Sequence, residues 1–267
     1  MTRAYRLLKP NHYLSTHIRL VREWNTQDVV IFSQLVDFTD VERVRESKKS
    51  QNLSAPSYTA FVIDAIAQAL RNHPTVNRIV YRSLIGYRWA QFERVDVAVA
   101  VEVIEDGLDV AYIRLIRDAD RLGLNGIADE LLKISKSPGD QRELKRLRML
   151  PAPLMAFLAR CTKLHPKLWV SFRGGCCAVT SPAKYGVESI AAKTSWPLQF
   201  AFGRVQDRAM VVSGACVPRR SAFVSMSWHR ELTTGAVAAK FFHDVVRHLE
   251  QRMAEPSEFE NKASTGC

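Results

Sequence analysis

Residues 85–116, IGYRWAQFERVDVAVAVEVIEDGLDVAYIRLI, decide the fold class. Apolar residues alternate with polar or small ones along this stretch, and a period of two is typical of β-strands. Arg94 and the triplet Glu105-Asp106-Gly107 interrupt the alternation, and an Asp-Gly pair between two alternating runs favours a hairpin turn. The stretch therefore predicts three neighbouring strands, GYRWAQFE, RVDVAVAVEV and LDVAYIRLI.

Helical periodicity precedes and follows these strands. SAPSYTAFVIDAIAQALRNHP, residues 54–74, has a Ser or Thr cap, apolar residues at spacings of three and four, and a stop at Pro74. The same criteria predict other helices at 13–24, from Thr39 or Asp40, over 124–134 and over 235–253.

The remaining apolar runs are short and predict further strands: VVIFSQLV, CCAVTS, LQFAFGRV, AMVVSG and AFVSMSWH. Helices and strands occur along the whole length without an internal linker, which favours a single α/β domain with helices packed on an extensive sheet. We set its bounds at 1–253, with an extended and least regular insertion at 136–173. The polar residues 254–267 are expected to form a flexible tail.

Composition limits the classes of protein. The 267 residues are 47% apolar and 24% charged, which excludes collagen-like and wholly disordered chains. The net charge of +11 favours anionic partners without choosing among nucleic acid, phosphorylated cofactors and membranes. No run of apolar residues has the length of a signal peptide core or a membrane span, so we expect a cytoplasmic protein without a transmembrane segment. The five irregularly spaced cysteines contain no CxxC pair, which predicts reduced thiols and no metal site.

A family resemblance extends over much of the chain. The run from Gly174 to Glu250, which begins GGCCAVTSPAKYGVESIAAKTSWPLQFAFGRV, resembles the catalytic domain of dihydrolipoyl acyltransferases from 2-oxo-acid dehydrogenase complexes. SYTAFVIDAIAQALRNHPTVN is similar to the long helix of that family, and RVDVAVAVEVIEDGLDVAYIRLIRDADRLGLNGIADEL to its strand pair and next helix. The similarity covers about Tyr13 to Glu250. It implies the chloramphenicol acetyltransferase-like fold of CoA-dependent acyltransferases, a mixed sheet with packed helices.

The HxxxDG motif of that family has its counterpart in HRELTTG, residues 229–235. The resemblance implies that His229 is the general base, a role that imidazole suits at neutral pH. One residue is inserted, and Thr234 stands where the family has an Asp that fixes local geometry through an ion pair. We do not expect Glu231 to replace that carboxylate. Thr234 is expected to cap the final helix, with its hydroxyl accepting a hydrogen bond from a first-turn N–H.

A hydroxyl group completes the site that the resemblance implies. The family stabilises the oxyanion of the tetrahedral intermediate with a serine in a strand, and CCAVTSPA places Thr180 at that position with Ser181 beside it. A structural histidine at a strand end and a plain strand threonine are the alternatives for His229 and Thr180. Cys176-Cys177 is interpreted as two small buried apolar residues instead of a nucleophile.

The resemblance also implies ligands and partners. Coenzyme A or an acyl-CoA is the expected cofactor, with no covalent lipoyl group on this chain, because the catalytic core begins almost at residue 1. A lipoyl or acyl-carrier group would come from a separate protein. The expected assembly is a homotrimer, with His229 from one chain and the hydroxyl from its neighbour, and larger cages built from trimers.

Other functions stay open at this point. An inactive acyltransferase-like scaffold is the alternative, supported by the missing Asp and the missing lipoyl domain. Nucleic-acid binding is not expected, because it rests on charge alone and no recognised motif accompanies it. The basic run at 142–148 precedes LPAPLMAFLA; it predicts a solvated helix face or, alternatively, an element that contacts a partner or a membrane surface.

Overall fold

A computed structural model describes five stretches of the chain: residues 29–83, 86–105, 108–136, 151–162 and 164–251. The predicted helix at 13–24, the basic run at 142–148 and the predicted tail at 254–267 lie outside these residues. None of the helices within the described stretches combines the length and apolar character needed to cross a bilayer.

The strands form one large sheet and one separate hairpin. Within the described residues they are β1 (Val29–Asp37), β2 (Arg78–Ser83), β3 (Gly86–Gln91), β4 (Val97–Glu105), β5 (Leu108–Ile116), β6 (Cys177–Thr180), β7 (Leu198–Phe202), β8 (Gln206–Val212) and β9 (Ala215–His229). The large sheet has the order β1-β9-β7-β6-β4-β5, with β8 added to the first half of β9, and β2 pairs only with β3. β6 runs parallel to β4 and β7, and the other pairs are antiparallel. The predicted mixed sheet is therefore confirmed.

The helices pack against this sheet and against one another. They are α1 (Thr39–Ser50), α2 (Tyr58–Asn72), α3 (Ala119–Lys136), α4 (Ala152–Cys161), α5 (Pro166–Arg173) and α6 (Gly235–Glu250). The hydroxyl of Ser57 accepts the N–H of Ala60 at 3.2 Å, and α2 ends before Pro74, as predicted. α2 contacts both α3 and α6, which explains why it is buried on nearly all sides.

Three regions differ from the sequence-based expectation. β3, predicted to be a neighbour of β4 and β5, pairs within the described residues only with β2 and so belongs to the separate hairpin. α3 begins five residues earlier than predicted and is interrupted at Gly123, whose φ of 60° is accessible to glycine at little cost. The insertion at 136–173, expected to be irregular, contains α4 and α5. Each of these helices starts with a proline in its first turn, where the missing N–H costs nothing.

β9 has two chemically distinct faces. Its even-numbered residues from 222 to 228 are apolar and buried in the core. On the opposite face the hydroxyls of Ser225 and Ser227 donate hydrogen bonds to the carbonyls of Ile190 and Ala192, at 2.5 Å each. The segment that precedes β7 therefore covers the polar face of β9.

β6 begins where two backbones come close together. A Cβ atom on Gly175 would lie 2.2 Å from the carbonyl oxygen of Asp96, nearer than any side chain can approach. The carboxylate of Asp96 is buried and accepts the N–H of Asp118 at 3.0 Å and guanidinium groups of Arg94 and Arg117 at 3.4 and 3.3 Å. Asp96 therefore cannot move aside without breaking these bonds.

We predict that Gly175→Ala lowers the free energy of unfolding by about 2–4 kcal/mol, because the added methyl group collides with the backbone of Asp96, whose buried carboxylate is held by hydrogen bonds. Gly235→Ala is the control, since nothing lies within 4 Å of its built Cβ. Urea unfolding of the three proteins measures the effect. Equal midpoints for Gly175→Ala and the wild type would contradict the close approach.

A second prediction concerns the pair that joins the end of α2 to α6. His73 Nε2 lies 2.6 Å from Asp244 Oδ2, and this hydrogen bond lowers the pKa of Asp244 below its ordinary value. The ionised carboxylate therefore stabilises the fold above about pH 4, and the contribution is lost as pH falls through the lowered pKa. Asp244→Asn should cost about 1 kcal/mol at pH 7 and much less near pH 3.

Urea unfolding at the two pH values measures this difference. Asp207→Asn is the control, because Asp207 is exposed and 3.7 Å from Arg220, and it should change stability by less than about 0.5 kcal/mol. An Asp244→Asn penalty that is the same at both pH values would rule out the charge as its cause.

Candidate active site

His229 is fixed by the backbone at the C-terminal end of β9. It pairs with Val29 of β1, its N–H donates to the carbonyl of Pro197 at 2.9 Å, and its own carbonyl accepts the N–H of Leu232 at 2.9 Å. Its side chain is only 10% exposed. His229 is therefore held at the end of an inner strand, and its imidazole has little access to water, which suits a residue that exchanges protons with a bound substrate.

Glu231 is the acidic residue of the motif that lies near this imidazole. Its Oε1 atom is 3.9 Å from His229 Nδ1, within ion-pair range but too far for a hydrogen bond. The tight turn after β9 brings the Glu231 side chain toward the ring without a hydrogen bond to it, and that Glu231 does not replace the family's carboxylate stays a prediction. The carboxylate is 58% exposed, so solvent screens much of its charge.

Thr234 occupies the N-cap position of α6, as predicted, but its hydroxyl accepts no bond from the first turn. That part of the prediction was wrong. The backbone carbonyl of Thr234 accepts the N–H of Ala238 at 3.0 Å, while its side chain is exposed. The structure therefore does not place Thr234 where it could orient His229.

The turn that follows His229 is held by the β2–β3 hairpin. Trp89 donates its indole N–H to the carbonyl of Glu231 at 3.0 Å, and the guanidinium of Arg78 donates to the carbonyl of Leu232 at 2.6 Å. Arg78 also stacks on the Trp89 ring, 4.0 Å from its centroid, and Leu232 is fully buried. We call Arg78 and Trp89 the hairpin clamp. Sequence patterns did not predict the hairpin clamp, because its residues and the turn that they hold are far apart in the sequence and share no periodicity.

Thr180 and Ser181 lie at the end of β6 and differ in their bonding. Ser181 donates its hydroxyl proton to the carbonyl of Phe202 at 2.9 Å and accepts the N–H of Ala183. No hydrogen bond joins the Thr180 hydroxyl to the described part of the chain. Thr180 is therefore the better-placed of the two to donate to a bound oxyanion.

Both hydroxyl-bearing residues border a cavity of about 700 Å³, a size typical of ligand sites. The cavity lies between the loop before α2, α3 and strands β4 and β5. Its polar lining includes Lys48, Asn125, Glu102 and Lys184. Lys184 pairs with Glu102, and Lys48 donates to Asn125 at 2.5 Å.

One chain does not bring His229 and Thr180 together. Thr180 pairs with Ala201, which pairs with Ser225 of β9, so Thr180 lies two strands away and four residues back from His229. Strand geometry of roughly 3.3 Å per residue and about 4.8 Å between strands puts the two Cα atoms about 16 Å apart. A single reacting centre cannot touch both side chains of the same chain.

The two adjacent cysteines are buried, as the sequence predicts. Burial raises the pKa of Cys176 to about 12 and that of Cys177 well above its ordinary value. Both therefore stay as thiols at neutral pH and make poor nucleophiles. Among the described residues, no group of three His, Cys, Asp or Glu side chains is arranged to hold a metal ion.

We predict that Arg78→Ala loosens the turn after His229, because it removes the bond to Leu232 and the stack on Trp89. The amide of Leu232 should exchange with deuterium roughly five to ten times faster. Arg88→Ala on the same hairpin, where Arg88 is exposed, is the matched control. Unchanged exchange at Leu232 would show that Arg78 does not hold the turn.

Comparison with known proteins gives one family match. A sequence profile described as 2-oxoacid dehydrogenases acyltransferase (catalytic domain) matches residues 15–146. The matched stretch ends before Thr180 and His229, so it does not include the candidate site. The chain has no significant match among curated proteins.

Solved structures with this fold extend the match to nearly the whole chain. The cubic core of the pyruvate dehydrogenase multienzyme complex is 18% identical, with a TM-score of 0.70 over 95% of both chains. A dihydrolipoamide acetyltransferase (E2p) from Azotobacter vinelandii gives the same values; that structure concerns the role of a serine, a histidine and an asparagine in its catalytic mechanism. A chloramphenicol acetyltransferase is 10% identical, with a TM-score of 0.50 over 93% of this chain and 100% of that one.

The predicted resemblance and fold class are thereby confirmed, in sequence over residues 15–146 and in fold over nearly the whole chain. Residues 15–146 of this chain are similar in sequence to the acyltransferase catalytic domain of 2-oxoacid dehydrogenases, and the chain shares the fold of the acetyltransferase cores.

Proposed function

We propose that this protein is a CoA-dependent acyltransferase, which moves an acyl group between the thioester of CoA or of a lipoyl group and an acceptor. One observation carries the proposal: the chain with the acyltransferase fold holds a nearly buried histidine, His229, at the end of β9. The family match over residues 15–146 supports the same reaction class independently of that histidine.

The proposed reaction needs a base and an oxyanion donor. His229 takes the proton of the acceptor thiol, and the resulting thiolate attacks the thioester carbon. Thr180 donates its hydroxyl to the oxyanion of the tetrahedral intermediate. The carbon–sulfur bond to the leaving thiolate then breaks, and this thiolate takes the proton back from the imidazolium.

A homotrimer with sites between subunits reconciles this chemistry with the geometry. His229 and Thr180 of one chain lie about 16 Å apart by strand geometry. His229 of one subunit is therefore proposed to act together with Thr180 of a neighbouring subunit. Cages of trimers are the proposed larger assembly, and the likeness of the chain to a cubic multienzyme core supports it.

The cavity beside Thr180 is the proposed site for the CoA thioester. Its volume of about 700 Å³ suits a pantetheine-like arm, and it reaches the one hydroxyl of β6 that is available to the substrate. Lys48 on its wall, which donates to the neutral Asn125, supplies positive charge for an anionic substrate, whereas the charge of Lys184 is paired with Glu102. An acylated lipoyl group on a separate protein is the other proposed donor, and CoA would then be the acceptor.

An inactive scaffold is the second candidate function. Thr234 stands at the family's Asp position and faces solvent, and the exposed Glu231 lies beyond hydrogen-bond distance of His229. The absence from the motif of the Asp that the family has at this position favours assembly without catalysis.

His229→Gln separates the two candidates. In an acyltransferase, loss of the base should lower kcat by at least about 100-fold with an acyl-CoA donor and a dithiol acceptor. Formation of free CoA, separated from the dithiol by chromatography, measures turnover. His243→Gln is the control, because His243 is exposed on α6. Turnover that is absent from the wild type, or equal in His229→Gln, would support the scaffold.

Mixed trimers test where the site is assembled. His229→Gln and Thr180→Val should each be nearly inactive, but unfolding and refolding them together should restore about a quarter of wild-type activity, because one site in four would combine two intact side chains. Activity that does not recover in the mixture, although native mass spectrometry shows mixed trimers, would place both residues of a site on one chain.

A further inference from the structure

Helices α4 and α5 expose large apolar side chains to solvent. We define the α4–α5 patch by five such residues and their exposed fractions: Leu154 (40%), Phe157 (61%), Leu164 (59%), Leu168 (39%) and Phe172 (49%). Leu154 and Phe157 lie one turn apart on α4, and Leu168 and Phe172 one turn apart on α5. A helix that faces only water would carry polar residues at these positions.

The opposite side of α5 is firmly packed, so the orientation of its exposed face is fixed. Trp169 donates its indole N–H to the carbonyl of Gly175 at 3.0 Å. The buried Arg173 lies over the rings of Trp169 and Trp196, at 4.9 and 5.6 Å, and donates to Thr162 at 3.0 Å. These contacts tie α5 to the end of α4 and to the segment before β7.

The charged side chains of α4 and α5 are all basic. Between Glu143 and Glu188 the sequence contains eight Lys or Arg residues and no Asp or Glu. Two of the cations, Arg160 and Lys167, are exposed on α4 and α5 themselves. A surface that exposes apolar and basic side chains is complementary to a partner with an apolar interior and anionic outer groups.

We propose that the α4–α5 patch docks on an anionic lipid surface. Its Leu and Phe side chains would enter the boundary of the acyl chains, while Arg160 and Lys167 pair with lipid phosphates. A second copy of the same patch would bring like charges together. Residues 1–28 carry five Lys or Arg against two acidic residues. Their net charge is therefore positive, like that of the α4–α5 patch, which disfavours this segment as its cover.

Nucleic acid is the less favoured anionic partner. Phosphate backbones attract Arg and Lys, but they offer no apolar phase for five leucine and phenylalanine side chains. The lipid proposal uses both properties of the patch. It is independent of the proposed acyl transfer, because none of its residues touches the candidate active site.

Co-sedimentation with vesicles tests the proposal on the full chain. The protein should pellet with phosphatidylcholine vesicles that contain about a quarter phosphatidylglycerol, and salt should weaken the binding. It should stay in solution with phosphatidylcholine alone. The double variant Phe157→Ser/Phe172→Ser should lower the partition coefficient at least about tenfold.

Matched controls separate the patch from general surface effects. Ile104→Ser/Val211→Ser removes two apolar side chains that are each 76% exposed on strands, and it should bind as the wild type does. Arg160→Ala/Lys167→Ala should weaken binding, whereas Lys49→Ala/Lys240→Ala, at exposed helix positions elsewhere, should not. Circular dichroism verifies that each variant is folded, and the single phenylalanine variants replace the double one if it is not.

Three results would overturn the proposal. The first is equal binding to vesicles with and without phosphatidylglycerol. The second is wild-type binding by a folded variant that lacks Phe157 or Phe172. The third is a change of oligomeric state in sedimentation velocity when these phenylalanines are replaced, because the patch would then be an interface between copies of this chain.

Discussion

The pairing of β9 with β1 and β7 is the constraint on which the fold and the candidate site both depend. Trp228 pairs with Val30 on one side and Leu198 on the other, and the next residue is His229. A slip of one residue would turn the serines of β9 into the core and the apolar residues out, so the hydrophobic effect fixes the register. The position of the imidazole follows from that register before any local contact is considered.

Local patterns predicted the elements that bury one continuous face. The apolar spacing and the Ser57 cap identified α2, and period-two alternation identified β4 and β5. Elements whose form depends on distant partners were less predictable. The first half of β9 is recognisable as strand only through its pairing with β8. α4 and α5 expose the residues that a helix normally buries, so their periodicity did not separate them from irregular chain.

The candidate catalytic residues could be predicted from the sequence, but the contacts that position them could not. His229 and Thr180 came from the family resemblance, which transfers residue types at matching positions. Glu231 depends on the shape of a turn with one inserted residue, and the hairpin clamp depends on contacts between residues more than 140 positions apart. Tertiary packing creates such contacts, and no window of the sequence contains both partners.

The pairing of β1 with β9 also has a kinetic consequence. Val29 and His229 are direct partners 200 positions apart in the sequence. Contacts this distant close the longest loops, and chains that rely on them fold slowly. During synthesis β1 has no pairing partner until β9 has left the ribosome. The end of the sheet that bears His229 is therefore among the last parts to acquire its native structure.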